Sequence, residues 1–299
     1  MNRTIKLLLL AVVVFSSTNL LAAERYQEIV NRLNALKGKY PLITHIFSIG
    51  TNDDNVPLYA MRVSLTPTEA DPNKVAHLVV GTHHGNELAA PQSTMHLLEK
   101  VLEKYSSRAL FAEGLDDREF VFIPVLNVSG YNAANRHEKG RDPNRDYAGP
   151  CHSATGGKLK SIRALTEHVA SRLYTGSITI HGYVGALTYP WGVNVGNPQS
   201  LDHNTYDRIT RNAAAINGYR HGTSTDIVYP VDGAYEDYVY WKHGIWSLLV
   251  ELKDGSKDDI EKTSDAMYSF LEALDSSPST KNQLTSACNR AGTLDLMNE

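Results

Sequence analysis

The sequence predicts an α/β fold, a mixed and mostly parallel twisted sheet of about eight strands with helices on both faces. Three observations carry that expectation. Apolar runs such as "VAHLVVG" at 75–81 and "WSLLVEL" at 246–252 have strand length and scarcely alternate, as strands covered on both faces do. Between such runs lie segments with apolar residues at helical spacing, for example "LAAPQSTMHLLEKVLEKY" at 88–105. With 299 residues, 42% of them hydrophobic, the chain can bury one large core.

The elements follow in order. "MNRTIKLLLLAVVVFSSTNLLAAE" sets Arg3 and Lys6 before an apolar run from Leu7 to Phe15 and ends in small residues, the order of a secretory signal peptide over 1–23. Cleavage is expected near Ala22 or Ala23, although Leu20 and Leu21 spoil a clean small-x-small site. The alternative, an uncleaved anchor, lacks the ~20 apolar residues that span a bilayer. No later segment is long and apolar enough for stable membrane insertion. "ERYQEIVNRLNALKGKYP" reads as a helix stopped by Pro41, followed by strands "LITHIFSIG" and "PLYAMRVSL" joined by the turn material "TNDDNV". After "VAHLVVG" and the helix at 88–105 come a buried strand "EFVFIPVLN", a helix "LKSIRALTEHVASRLY", a strand "SITIH" and a helix "TYDRITRNAAAINGY". "IWSLLVEL" is the last strand and "DDIEKTSDAMYSFLEAL" the closing helix. The Gly-rich segments 127–157 and 182–200 read as irregular and too long for simple connections, which marks them as functional. No repeat or linker divides 24–299, which reads as one catalytic domain with a loose polar tail over 276–299.

Net charge is −4, with Lys and Arg scattered, which excludes the basic footprint of a nucleic-acid binder. The leader holds two basic residues and no acidic one, so the exported chain carries −6. Cys151 and Cys288 are the only cysteines. In an oxidising compartment they either pair, closing a loop worth about 4–5 kcal/mol, or remain two free thiols.

Polar residues recur where strands end. His83, His84 and Glu87 follow 75–81, Asn127 follows "EFVFIPVL", His181 closes "SITIH" and Glu251 closes "WSLLV". In an open α/β sheet the ligand crevice lies at that edge. A His and a Glu three apart at a helix start share a face, so both can reach one ion, and a distant His can complete a three-ligand zinc site. His83, four residues from Glu87, is a competing ligand, and a capped turn with Glu at a helix N-terminus is the plain alternative.

On these residues the chain resembles the zinc metallocarboxypeptidases of the pancreatic carboxypeptidase A and B type over nearly all of 24–299. That family's H-x-x-E motif and later strand-ending His match "HGNE" and "IHGYVGALTYPWG", which implies His84, Glu87 and His181 as ligands of one Zn2+ per chain. In "NVSGYNAANRHEKGRDPNRDY" the first four residues loosely match the family's Asn-Pro-Asp-Gly turn, and "DPNR" matches its Asp-x-Asn-Arg element. Asn144 and Arg145 are thereby implied to hold the substrate's terminal carboxylate, and Arg136 to polarise the scissile carbonyl, with Arg141 as its alternative. "IVYPVDGAYEDYVYWKHGIWSLLVEL" aligns without gaps to the family's closing-tyrosine and general-base region. It puts Tyr229 over the substrate, Glu251 at the catalytic glutamate and Glu236 at the base of the side-chain pocket. A one-residue slip would put Tyr235 or Asp237 there instead. Three departures stand out: no propeptide domain is expected before "ERYQEI", Asn86 stands where pancreatic members have Arg, and Tyr238 replaces a Trp.

The resemblance implies hydrolysis of the C-terminal peptide bond of a peptide with a free carboxylate. Glu251 serves as base and then acid, and Arg136 as oxyanion partner. A carboxylate at Glu236 favours Lys, Arg or a diamino acid. The expected enzyme is an exported monomer, periplasmic or extracellular. The alternatives are a cell-wall peptide carboxypeptidase or endopeptidase, an N-acyl amino acid deacylase of the aspartoacylase or succinylglutamate desuccinylase type, and a non-catalytic peptide-binding module.

Overall fold

A computed structural model describes residues 25–106, 115–151, 155–193 and 198–274, so the expected leader and the tail over 276–299 lie outside the described residues. Helix α1, at 25–39, buries Tyr26, Ile29 and Leu33, one face at helical spacing. Eight strands follow: β1 (Thr44–Thr51), β2 (Pro57–Val63), β3 (Val75–Gly81), β4 (Arg118–Ile123), β5 (Gly176–Gly182), β6 (Ala186–Tyr189), β7 (Arg220–Thr223) and β8 (Trp246–Leu252). They form one sheet in the order β1-β2-β4-β3-β5-β8-β6-β7. Pairs β3–β4, β3–β5, β5–β8 and β6–β7 are parallel, and β1–β2, β2–β4 and β6–β8 antiparallel. The sheet is therefore mixed and mostly parallel, as expected.

The helices are α2 (Ala89–Ser106), α3 (Val128–Ala133), α4 (Lys160–Ala170), α5 (His203–Asn217), α6 (Ser224–Ile227), α7 (Tyr235–His243) and α8 (Lys257–Glu272), with a 3-10 turn at Pro143–Arg145. Strand alternation shows that both faces are covered. On β5, the α-carbon of Gly176 faces Leu271 of α8, whereas the Ser177 hydroxyl bonds the Tyr235 hydroxyl of α7 at 2.7 Å.

Two segments read as irregular contain regular structure. The segment 182–200 holds β6, whose Ala186, Leu187 and Thr188 pair with Glu251, Val250 and Leu249 of β8. The segment 127–157 holds α3 and the 3-10 turn. These elements are short, and their stability comes from partners distant in the chain rather than from local periodicity. Helix α7 lacks an apolar stripe because Tyr235 through Tyr240 are all buried. Cys151 is disulfide-bonded. The only other cysteine, Cys288, lies outside the described residues. Among the described residues no helix is long and apolar enough to cross a membrane.

Strand β3 lies between β4 and β5, and the chain leaves it first to one side and then to the other. That reversal opens a crevice at the carboxyl ends of β3 and β5.

Candidate active site

The turn leaving β3 is held by backbone and amide contacts. Asn127 donates through its side-chain amide to the carbonyls of His83 (3.0 Å) and Arg136 (3.1 Å) and accepts from the Gly130 amide (2.8 Å). Gly85 lies so close to α3 that a β-carbon there would stand 2.0 Å from the Gly130 carbonyl carbon. This packing sets His84 and Glu87 just before α2, while β5 delivers His181 two residues after Thr179 on the same face.

The three side chains converge and are buried. His84 Nδ1 lies 2.8 Å from one Glu87 oxygen, His181 Nδ1 lies 3.0 Å from the other, and the two Nδ1 atoms are 3.1 Å apart. Two imidazoles and a carboxylate pointing their lone pairs at one spot need a cation or shared protons between them. Such a His, His, Glu set with one position left open fits catalytic zinc. Burial pushes the Glu87 carboxyl up, but His181 and His84 outweigh it and hold the group at about 2. His83 is not part of the cluster: its imidazole bonds Tyr147 (2.8 Å) and Thr179 (3.0 Å), and burial keeps it neutral by lowering its pKa well below the usual value.

Asp142 was not singled out from the sequence. One of its oxygens accepts from His84 Nε2 at 3.0 Å, and the other from Arg136 Nε (2.9 Å) and Nη2 (2.8 Å). Burial pushes its carboxyl up, but the contact from His84 and the charges of Arg145 and Arg136 outweigh it and hold the group well below the usual carboxylate range. The same residue caps the 3-10 turn by accepting from the Asn144 amide at 2.9 Å. Its only local signal was its place at the head of "DPNR", where a capping Asp is ordinary. Arg136 also reaches within 3.9 Å of Glu87, whereas Arg141 lines a separate cavity.

A cleft is lined by His84, His181, Asn144, Arg145, Tyr229, Glu236 and Glu251 among others. Glu251 pairs with His181 across the β5–β8 ladder, and burial pushes its carboxyl up to about 7. Arg145 donates to the Tyr229 hydroxyl at 2.8 Å and to the Asn144 carbonyl, both neutral groups. Tyr229 is half-exposed. The Asn144 side-chain oxygen accepts from the Tyr235 amide at 2.9 Å, which fixes the start of α7. Glu236 follows; it is buried, and one of its oxygens has no hydrogen-bond partner among the described residues. Burial pushes its carboxyl up, while His181 and Arg145 pull it down. Its neighbours are engaged elsewhere: both Asp237 oxygens accept from the Gly192 amide (3.0 and 3.1 Å), and the Tyr235 hydroxyl bonds Ser177.

The sequence profile of the zinc carboxypeptidases matches residues 29–274. The chain belongs to the zinc carboxypeptidase family. Zinc is the cofactor of these hydrolases, and His84, Glu87 and His181 are the described residues that could hold it. Rat (Rattus norvegicus) carboxypeptidase B is 23% identical over 241 residues, 69% of this chain and 57% of that protein. The zinc carboxypeptidase of Saccharothrix mutabilis subsp. capreolus is 23% identical over 266 residues, 76% of this chain and 61% of that protein. The chain thus spans about three fifths of the length of these curated relatives. Crystal structures of thrombin activatable fibrinolysis inhibitor and of carboxypeptidase A from Helicoverpa armigera share the fold. Their TM-scores are 0.71 and 0.70 at 20% and 16% identity. The matches cover 83% of this chain in both cases, and 73% and 72% of the solved chains. Membership in this family does not favour the deacylase alternative.

Proposed function

We propose that this zinc carboxypeptidase family member is an exopeptidase that releases a C-terminal residue with a cationic side chain: Lys, Arg or a diamino acid. One observation carries the reading: a single cleft brings a zinc-type ligand cluster and the half-buried Glu251 together with Arg145, which forms no ion pair among the described residues, and Glu236, one oxygen of which has no hydrogen-bond partner among them. Zinc held by His84, Glu87 and His181 supplies Lewis-acid activation of water and of the scissile carbonyl.

The remaining work falls to the chain's own residues. Arg145 meets the terminal carboxylate with its planar fork, helped by the Asn144 amide. An internal peptide bond offers no carboxylate there, which supports exopeptidase action. Glu251 accepts the proton of the attacking water and returns it to the leaving amine, a role that suits a carboxyl raised to about 7. Arg136, oriented by Asp142, faces the carbonyl oxygen as it gains charge. Tyr229, half-exposed and bonded to Arg145, lies over the substrate. Glu236 draws the cationic side chain inward and disfavours Asp or Glu by like-charge repulsion. The leader pattern supports action outside the cytoplasm.

The test is release of C-terminal residues by zinc-loaded protein from matched blocked dipeptides ending in Arg, Lys, Phe and Glu, with an amidated control and Glu251→Gln. Rapid release of Arg and Lys, lost with the amide and with the variant, supports the proposal. Rapid release of Phe removes the cationic preference, and equal cleavage of the amide removes the exopeptidase reading.

A further inference from the structure

The paired histidines of "THHGNE" leave His83 without a role in the zinc cluster, yet it is wholly buried against it. Its ring stacks on His181 with centroids 5.4 Å apart and an interplanar angle of 20°. Between the two rings sits one hydroxyl. Thr179 Oγ1 lies 3.2 Å from His181 Nε2 and 3.0 Å from His83 Nδ1, and His83 Nε2 lies 2.8 Å from the Tyr147 hydroxyl.

The direction of this chain follows from one premise, that His181 Nδ1 faces the ion, which rests on the ligand reading above. Nδ1 then offers its lone pair, so the ring proton is on Nε2 and is donated to Thr179. A hydroxyl has one proton and two lone pairs, and among the described residues Thr179 Oγ1 has no partner other than these two rings, so its proton is used only when it goes to His83 Nδ1. His83 is therefore the Nε2–H tautomer and donates to Tyr147. Each link leaves the next one orientation only, and all four groups are buried away from competing water. The ring partners of metal-bound histidines fix tautomer and orientation, and most are carboxylates or carbonyls; here a hydroxyl does it, backed by a second histidine.

We infer that Thr179 and His83 are positioning residues that lock His181 in its ligating tautomer through a one-way hydrogen-bond chain ending at Tyr147. His83 is thus read as a support for the third ligand rather than as a ligand.

The test measures zinc affinity of the metal-free protein by competition with a chromophoric chelator, alongside its melting temperature. Thr179→Val is expected to weaken zinc binding about 10–100-fold and Thr179→Ser to restore it. His83→Phe is expected to weaken binding, and His83→Gln, whose carbonyl can accept from Thr179, to recover part of it. A role in packing alone would lower the melting temperature and leave affinity unchanged, and that result overturns the inference even if only the His83 pair folds. Nitrogen-15 spectra of the zinc-loaded protein supply a readout independent of activity. Both His181 and His83 are expected as Nε2–H tautomers, and a His83 Nδ1–H tautomer overturns the chain. His181→Phe tests the premise by itself: retained affinity there removes the ligand reading. Loss there with unchanged affinity in Thr179→Val removes the relay alone.

Discussion

His84 and Asp142 meet at 3.0 Å, imidazole Nε2 to carboxylate Oδ1, across 58 residues of chain. With Nδ1 turned toward Glu87 and His181, that contact places the ring proton on Nε2 and frees the other nitrogen for the metal. Asp142→Asn can present its own N–H to Nε2 and reverse the tautomer. Zinc affinity and turnover are expected to fall about 10–100-fold. Chelator competition on the folded variant measures the first, and affinity within roughly twofold of the parent counts against an orienting role.

Glu236 and Asp237 are adjacent, but only Glu236 lines the cleft. Replacing its carboxylate by an amide removes a charge-assisted contact worth about 1.5–3 kcal/mol. Glu236→Gln is expected to slow release of C-terminal Lys and Arg about 10–100-fold while leaving Phe within a few-fold. A uniform loss across all substrates would remove Glu236 from side-chain selection.

Among the described residues Arg145 bonds neutral groups, which leaves its charge available for the proposed contact with the substrate's carboxylate. Arg145→Met is expected to raise KM at least about tenfold, through loss of a bidentate charged pair. It is also expected to narrow the gap between free-acid and amidated substrates. Steady-state kinetics on the matched pair measures both, and an unchanged acid-to-amide ratio contradicts the assignment.

Glu138 is fully buried in the loop between Arg136 and Asp142, bonded to the Ser161 hydroxyl, and its other oxygen has no hydrogen-bond partner among the described residues. Burial, aided by Asp53 and Asp54, pushes its carboxyl up to about 7. The unfolded chain releases this proton near pH ~4.3. Between those values the folded state binds more proton, so its contribution to stability is complete below the unfolded value and is lost as pH rises through about 7. Urea midpoints at pH 5 and pH 8 are expected to fall more steeply in the parent than in Glu138→Gln. Parallel slopes would show that the carboxyl titrates normally.

Gly85 has no space for a side chain, because its neighbour is the Gly130 backbone. Gly85→Ala is expected to cost about 1–3 kcal/mol or more through forced backbone movement. The same movement displaces His84 and Glu87, so zinc affinity is expected to fall together with the melting temperature. A variant that loses stability yet keeps its zinc affinity would mean that the turn adjusts without moving the ligands.

Much of this was legible in the chain itself. Uninterrupted runs such as 75–81 and 246–252 announced buried parallel strands, and their carboxyl ends announced where His84, His181 and Glu251 would gather. Strand β6 and helix α7 were not legible, because a strand of four residues and six consecutive buried residues leave no periodic trace. Asp142 was visible only as a turn cap, since its second contact, to His84, is distant in sequence.

The sequence by itself determined the chemical types at each strand end and the periodicities that make strands and helices, since both depend on near neighbours. Only the tertiary structure shows which of two adjacent side chains faces the site: His84 rather than His83 in the cluster, Glu236 rather than Asp237 in the cleft. The physical reason is directional. Neighbouring residues in a turn or helix point different ways, and the direction that meets the site is set by contacts with distant segments, such as Asn127 on the β3 exit and Asn144 at the start of α7.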